Sequence, residues 1–382
     1  MSAPASAALA AGVLARYGDE LYHCASCNYC VDQVWPERGI ARVCATFEHH
    51  APSPAYSGRG YIEIARALAE GMELDLDTVA VRVNTCTDCG NCEVTCPIGL
   101  HPAAINRGLR TALYEAGAAP AAIATAVETI TTRGNVRAAP AVIAERATGT
   151  GPRMRLYVGC HADEDGTALL GWLAAGGVEV SLVRDARACC GAALAELGAG
   201  RSATAWRDDA RAAVDAGTVV LGYECLRHLQ DGDAAGPQGL LGWLVAALDG
   251  GELTLALRRG VVPSPLHLLE SCQLKPRPGR AAPAEEACAR NLLERLGVPL
   301  ANTGFPNRFR LCCGAGGGMP AVQPEAAARM AAARADAAGA VAAVTLDPRC
   351  ARHFADAGRA VGSFAAWLVE HCELTATTGE RA

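Results

Sequence analysis

The stretch Cys86-Thr87-Asp88-Cys89-Gly90-Asn91-Cys92-Glu93-Val94-Thr95-Cys96-Pro97 decides how the rest of the chain is read. Its spacing, C-x2-C-x2-C-x3-C-P, is a thiolate run suited to an iron–sulfur cluster. Three closely spaced sulfurs wrap one cluster. The fourth, Cys96, lies past a turn and Pro97 aims it away, so the pattern sends it to a second cluster and implies a second triplet. Cys24-Ala25-Ser26-Cys27-Asn28-Tyr29-Cys30 supplies one. The fourth cysteine after this triplet is less regular. Thirteen residues separate Cys30 from Cys44 where three are usual, and Ala45 stands where Pro is usual. We assign Cys44 as the crossing ligand; the alternative is a three-cysteine cluster with an open or water-bound iron. One cluster then takes Cys86, Cys89, Cys92 and Cys44, and the other Cys24, Cys27, Cys30 and Cys96. A pair of zinc sites is the bland alternative, but zinc spacing pairs one C-x2-C with another rather than setting three cysteines in register.

Around the triplets the sequence reads as helices: residues 1–20, Tyr61 to Glu70, Leu74 to Val83, 102–117 and 120–132. Trp35, Pro36 and Gly39 mark an irregular stretch, and Ser57-Gly58-Arg59-Gly60 a turn. Residues 1–133 are therefore expected to form an α-helical ferredoxin domain with two [4Fe-4S] clusters. Gly134, Pro140, Gly149, Gly151 and Pro152 make 134–153 a linker.

Beyond it, short apolar runs alternate with Ala-rich helical stretches, the pattern of βα units. Strands are expected at Arg155 to Gly159, Val178 to Val183 and Thr218 to Gly222, leading to Cys160, Cys189-Cys190-Gly191 and Cys225. The arrangement then recurs. Pro265 to Glu270 leads to Cys272, a short apolar stretch to Cys312-Cys313-Gly314, and Val341 to Leu346 to Cys350. The repeat is about 115 residues long. We expect an α+β multidomain chain: the helical domain, then a duplicated α/β Cys-Cys-Gly half divided as 154–260 and 261–382. The cysteines fall at the C-terminal ends of strands, where open α/β sheets gather ligands. Adjacent cysteines rarely pair with each other, but adjacent thiolates can bind neighbouring irons. Gly191 and Gly314 would let the backbone approach a cluster. Gly314-Ala315-Gly316-Gly317-Gly318 resembles a phosphate cradle but lacks the Lys-Ser/Thr of a P-loop.

The chain's 382 residues include 18 cysteines, and its net charge is −6. That charge argues against nucleic acid or anionic lipid as main partner. A chain this long with no evident signal peptide and no transmembrane run points to metal-bound thiolates in a reducing cytoplasm rather than to disulfides. Lys275 is the only lysine, which we read as genome composition. Cys288 and Cys372 fall outside the repeats and read as core thiols, as Trp35, Trp172, Trp206, Trp243 and Trp367 read as packing residues. His228 and His353 each follow a cysteine by three residues, as metal ligands or as polar residues of the following helix. His161, His267, His49 and His50 are weaker candidates.

Together the two triplets, Ser57-Gly58-Arg59-Gly60 and the two Cys-Cys-Gly motifs resemble a fused iron–sulfur family typified by the cysteine-rich polypeptide of heterodisulfide reductase. Its relatives include the iron–sulfur subunits of glycolate oxidase, of anaerobic glycerol-3-phosphate dehydrogenase, and of hydrogenase- or sulfite-reductase-associated membrane complexes. The resemblance implies further clusters, cubane or noncubane, in the C-terminal half. In the heterodisulfide reductases each Cys-Cys-Gly domain ends in C-x2-C, giving five thiolates for a noncubane four-iron cluster. Here Gly222 and Asp347 stand where the first cysteine of that pair is expected. Four thiolates remain at each site: Cys160, Cys189, Cys190 and Cys225, then Cys272, Cys312, Cys313 and Cys350. Asp347 would complete the second site as an oxygen ligand and a labile, candidate catalytic corner, or it caps the helix holding Cys350.

The expected function is an electron-transfer subunit of an oxidoreductase complex. The resemblance implies a flavoprotein or hydrogenase on one side and, on the other, a quinone-linked membrane cytochrome b or a thiol/disulfide acceptor. The chain itself would be cytoplasmic, meeting the membrane only through a partner. One rival is a catalytic heterodisulfide reductase acting at the Cys-Cys-Gly sites; another is a zinc-binding scaffold.

Overall fold

The computed structural model describes residues 12, 15–32, 42–136, 146–147, 151–161, 164–183, 189–230, 236–275, 284–301 and 311–377. Among those up to residue 136 every regular element is helical. A helix over residues 15–23 enters the first triplet. It is followed by α1 (Ala45–His49), α2 (Gly58–Ala69), α3 (Leu76–Asn84), α4 (Asn91–Thr95), α5 (Pro102–Glu115) and α6 (Ala121–Arg133). Apolar residues recur at helical spacing: α2 buries Tyr61, Ile62, Ala65 and Leu68, and α5 buries Ile105, Leu109 and Leu113. They meet Leu21, Val79 and Val83 in one core. Each such Leu or Ile contributes about 1.5–3 kcal/mol by burial, which fixes the helices between the cysteine runs.

Ser57-Gly58-Arg59-Gly60 is not the separate turn expected from sequence. Ser57 is the N-cap residue of α2, and Gly58 to Gly60 form its first turn. Both glycines serve close approach. A Cβ on Gly58 would lie 2.6 Å from the Cβ of Cys92 and 3.2 Å from that of Cys30, and one on Gly60 would lie 2.6 Å from Ala55 Cα.

Much of the expected linker (137–145 and 148–150) lies outside the described residues, as does the stretch with Trp35, Pro36 and Gly39. Its described part is built into the fold. Gly134, at φ 67°, ends α6. Its carbonyl accepts the Cys189 N–H at 3.0 Å. β1 (Arg146–Ala147) joins a sheet with β2 (Arg153–Tyr157), β3 (Glu179–Leu182), β4 (Thr218–Val220) and β5 (Gln238–Gly239), in the order β1-β3-β2-β4-β5. All pairs are parallel except β1 with β3. The helices of this unit are α7 (Glu164–Ala175), α8 (Ala192–Glu196), α9 (Gly200–Ala213), α10 (Tyr223–Gln230) and α11 (Leu240–Asp249), and β6 (Leu253–Leu257) follows.

The next unit has a parallel sheet β7 (His267–Leu269), β8 (Ala343–Thr345), β9 (Val361–Ser363), with Leu300 bridged in parallel to Leu266. Its helices are α12 (Glu285–Arg295), α13 (Met319–Val322), α14 (Pro324–Asp336), α15 (Pro348–Asp356) and α16 (Phe364–His371), and β10 (Cys372–Ala376) follows. β6 and β10, the last strand of each unit, pair antiparallel with Leu255 opposite Leu374. One core runs through both units, taking Leu156, Val180 and Val219 from one and Leu268 and Val344 from the other. Cys372 and Trp172 belong to it, and the Trp172 indole donates to the Cys372 carbonyl. No helix among the described residues is long and apolar enough to cross a membrane.

Candidate metal centres

The two triplets bend the backbone in the same way. Ser26 (φ 51°), Asn28 (φ 66°) and Asp88 (φ 56°) are the non-glycine residues with positive φ among the described residues, and Gly90 (φ 72°) completes the set. Each triplet thus turns left-handed two and four residues after its first cysteine. A non-glycine residue in that region costs about 1–2 kcal/mol, so the surroundings must hold it. Asp88 is held by Arg107 at 2.6 Å, and Asn28 accepts from Arg59 at 3.2 Å. Alternating left- and right-handed residues turn N–H groups into a concavity that suits an anion. The Asp88 N–H points to Cys86 Sγ at 3.4 Å, and the Leu100 N–H to Cys96 Sγ at 3.3 Å.

Gly58 brings the triplets together by leaving room for Cys30 and Cys92 on either side. Cys44, the N-cap residue of α1, faces Cys89, Cys86 and Cys30. Burial pushes Cys30 up to about 11 and raises Cys44, Cys86 and Cys92 as well. Thiolates gathered in such a place need a metal's positive charge to form. The donor set and the N–H concavities fit iron–sulfur clusters. Among the described residues no group of three or more His, Cys, Asp or Glu donors converges as a single-ion site.

The Cys-Cys-Gly sites also share a frame. Cys160 and Cys272 lie in 3-10 turns just beyond β2 and β7, and Cys225 and Cys350 in the first turns of α10 and α15. All eight cysteines are buried. The Gly191 N–H points to Cys189 Sγ at 3.4 Å and the Gly314 N–H to Cys312 Sγ at 3.3 Å. Thiol contacts join Cys160 to Cys189, Cys190 to Cys225, and Cys313 to Cys350 at 3.0 Å. Asp347 is the N-cap of α15. One carboxylate oxygen accepts from the Arg349 N–H at 3.0 Å and the other from Ser271 Oγ at 2.7 Å. A His353 ring nitrogen meets the Ala327 carbonyl at 3.1 Å, as a polar residue of the helix would. His228 lines a neighbouring charged cavity.

The surroundings of the two sites differ. The thiol of Cys312 contacts that of Cys89, so the second site abuts the Cys86 triplet. That hydrogen bond and the charge of Lys275 hold the Cys89 thiol below its ordinary value against the upward push of burial. The glycine run is the surface that allows this approach. A Cβ on Gly316 would strike the Thr87 carbonyl, one on Gly317 the Cys86 carbonyl, and one on Gly318 would lie 2.6 Å from Asn84 O. Buried Arg110 staples the junction, donating to the carbonyls of Val83 (2.8 Å), Cys86 (2.6 Å) and Glu196 (2.8 Å). The Glu196 carboxylate in turn takes the Gly317 N–H and Arg349, each at 2.9 Å. The first site opens instead on a cavity of about 320 Å³, floored by Cys160, Cys189, Cys190 and Cys225 and faced by Arg349, Arg352 and His353.

Sequence spacing found the cysteines but not Arg110, Glu196 or Lys275, whose roles depend on contacts between segments far apart in the chain. The one signal was that Lys275 is the sole lysine.

Comparison with known proteins adds two matches. A family model described as a 4Fe-4S dicluster domain matches residues 20–100, and one described as a cysteine-rich domain matches residues 268–355. A search of curated proteins returned no match. The matched domains indicate iron–sulfur clusters and an electron-transfer role, and Cys160, Cys189, Cys190 and Cys225 lie between the two matched stretches.

Proposed function

We propose that this chain is an electron relay that runs from the Cys24 triplet, through the Cys86 triplet, to the second Cys-Cys-Gly site, and ends beside the cavity of the first. The observation that carries this reading is the contact of Cys89 with Cys312 across the domain junction. An iron–sulfur cluster, when bound, takes up and returns electrons singly. In this reading Cys86, Cys89, Cys92 and Cys44 hold one four-iron cluster and Cys24, Cys27, Cys30 and Cys96 the other, in crossed ligation. The Cys-Cys-Gly units, 154–260 and 261–382, are copies of one ancestral unit, each holding four thiolates for a further cluster. The recurring order of strand, cysteine turn and glycine supports this. Asp347 is a helix cap in this reading, since both carboxylate oxygens are already engaged. Cys27, which is exposed, marks the entry side, where a flavoprotein or hydrogenase would dock in the cytoplasm. A membrane cytochrome b or a thiol/disulfide acceptor would receive the electrons.

A second reading, a disulfide-reducing enzyme, is favoured by the cavity over Cys160, Cys189, Cys190 and Cys225, which has room for a small substrate. Iron and sulfide analysis of anaerobically purified protein tests the relay. At least about eight irons per chain are expected from the N-terminal pair; four or fewer after full reconstitution overturns the two-cluster assignment.

A further inference from the structure

We propose that Lys275 is a positioning residue that raises the redox potential of the Cys86 site and ties that site to the second Cys-Cys-Gly site. The inference rests on the reading that the Cys86 triplet holds a cluster.

Lys275 is the only lysine in the chain and is 1 % exposed. Burying an ammonium is costly unless its donors and charge are met. Its backbone is fixed on the C-terminal side of the junction. It ends the 3-10 turn that begins at Cys272, which Ser271 caps by accepting the Gln273 N–H at 3.1 Å, and its carbonyl accepts from Arg227 at 2.5 Å. Its side chain crosses to the N-terminal domain. The ammonium donates to the Cys89 carbonyl at 3.0 Å and to the Asn91 side-chain oxygen. Asn91 then donates from its amide nitrogen to the Val43 carbonyl at 2.9 Å, one residue before Cys44. One ammonium therefore holds Cys89 directly and the Cys44 segment through Asn91. Both belong to the same four-thiolate set, and the tether starts at a thiol of the neighbouring set.

The charge adds a second effect. An electron arriving at the Cys86 site increases negative charge beside a fixed cation in a low-dielectric interior, so the reduced state is favoured. The ammonium does this as a compact point charge on a flexible stem that reaches both oxygens.

The test is a redox titration of the full chain, purified anaerobically and followed by electron paramagnetic resonance, comparing wild type with Lys275→Met and Lys275→Arg. Lys275→Met is expected to lower the midpoint potential of the cluster signal that Cys89→Ser abolishes, to leave the Cys24-triplet signal in place, and to retain iron. Lys275→Arg is expected to recover most of the shift. An unchanged potential in Lys275→Met, or equal shifts in both variants, overturns the proposal, since packing rather than charge would then be at work. If Lys275→Met does not fold, Lys275→Gln takes its place, with a lowered potential supporting the proposal and an unchanged one overturning it. If no wild-type signal depends on Cys89, the cluster reading itself fails and takes this inference with it.

Discussion

In the first Cys-Cys-Gly site Gly191 sits at φ 91°, with the Ala203 carbonyl 2.6 Å from where its Cβ would be; in the second, Gly314 sits at φ 96°, with the Ala327 carbonyl at 2.7 Å. The thiols hang on these two frames at matching places. What lies outside the frames is different. The second site is closed by Cys89, Lys275 and the glycine run, whereas the first faces a cavity. One local frame thus stands in two settings, closed by another thiol set in one and open to a cavity in the other.

The shared frame is tested by the largest expected effect. Gly191→Ala and Gly314→Ala each force an L side chain into a left-handed position, at about 1–2 kcal/mol. Each also overpacks a backbone contact, at about 1–3 kcal/mol more. Urea unfolding of the two variants should show comparable losses of stability. A loss at one glycine only would break the comparison.

A smaller effect sharpens it at the position where the units differ, Gly222 in one and Asp347 in the other. Asp347→Ala removes the cap of α15 and should cost about 0.5–2 kcal/mol while iron per chain stays constant. Loss of a cluster's worth of iron in that variant would instead make Asp347 a ligand and the second site chemically unlike the first.

The parts legible in the sequence were those written in local spacing. The triplets, the Cys-Cys-Gly motifs and the succession of strands show in distances of a few residues, and α3, α5, α6, β2, β3, β4, β7 and β8 lie where hydrophobic pattern put them. Asp347 was legible only as two alternatives, because a cap and a ligand ask for the same residue before the same helix. Gly314 was legible as close approach to a cluster and the run Gly314 to Gly318 as a phosphate cradle without its P-loop partners, but not that Gly316, Gly317 and Gly318 approach the turn carrying Cys86. Arg110, Glu196 and Lys275 carry no local pattern. Each acts by satisfying backbone groups or charges on segments remote in sequence, which only the folded chain brings together.

The continuity of the path from the Cys86 triplet to the second Cys-Cys-Gly site is tested most directly by low-temperature electron paramagnetic resonance of the fully reduced protein. The signal that depends on Cys89 should be split or broadened by a paramagnetic neighbour in wild type. In Cys313→Ser the splitting should shrink to the coupling with the Cys24-triplet cluster alone, and in Cys190→Ser it should stay as in wild type. A signal unsplit in wild type, or a splitting left unchanged by Cys313→Ser, would contradict the relay.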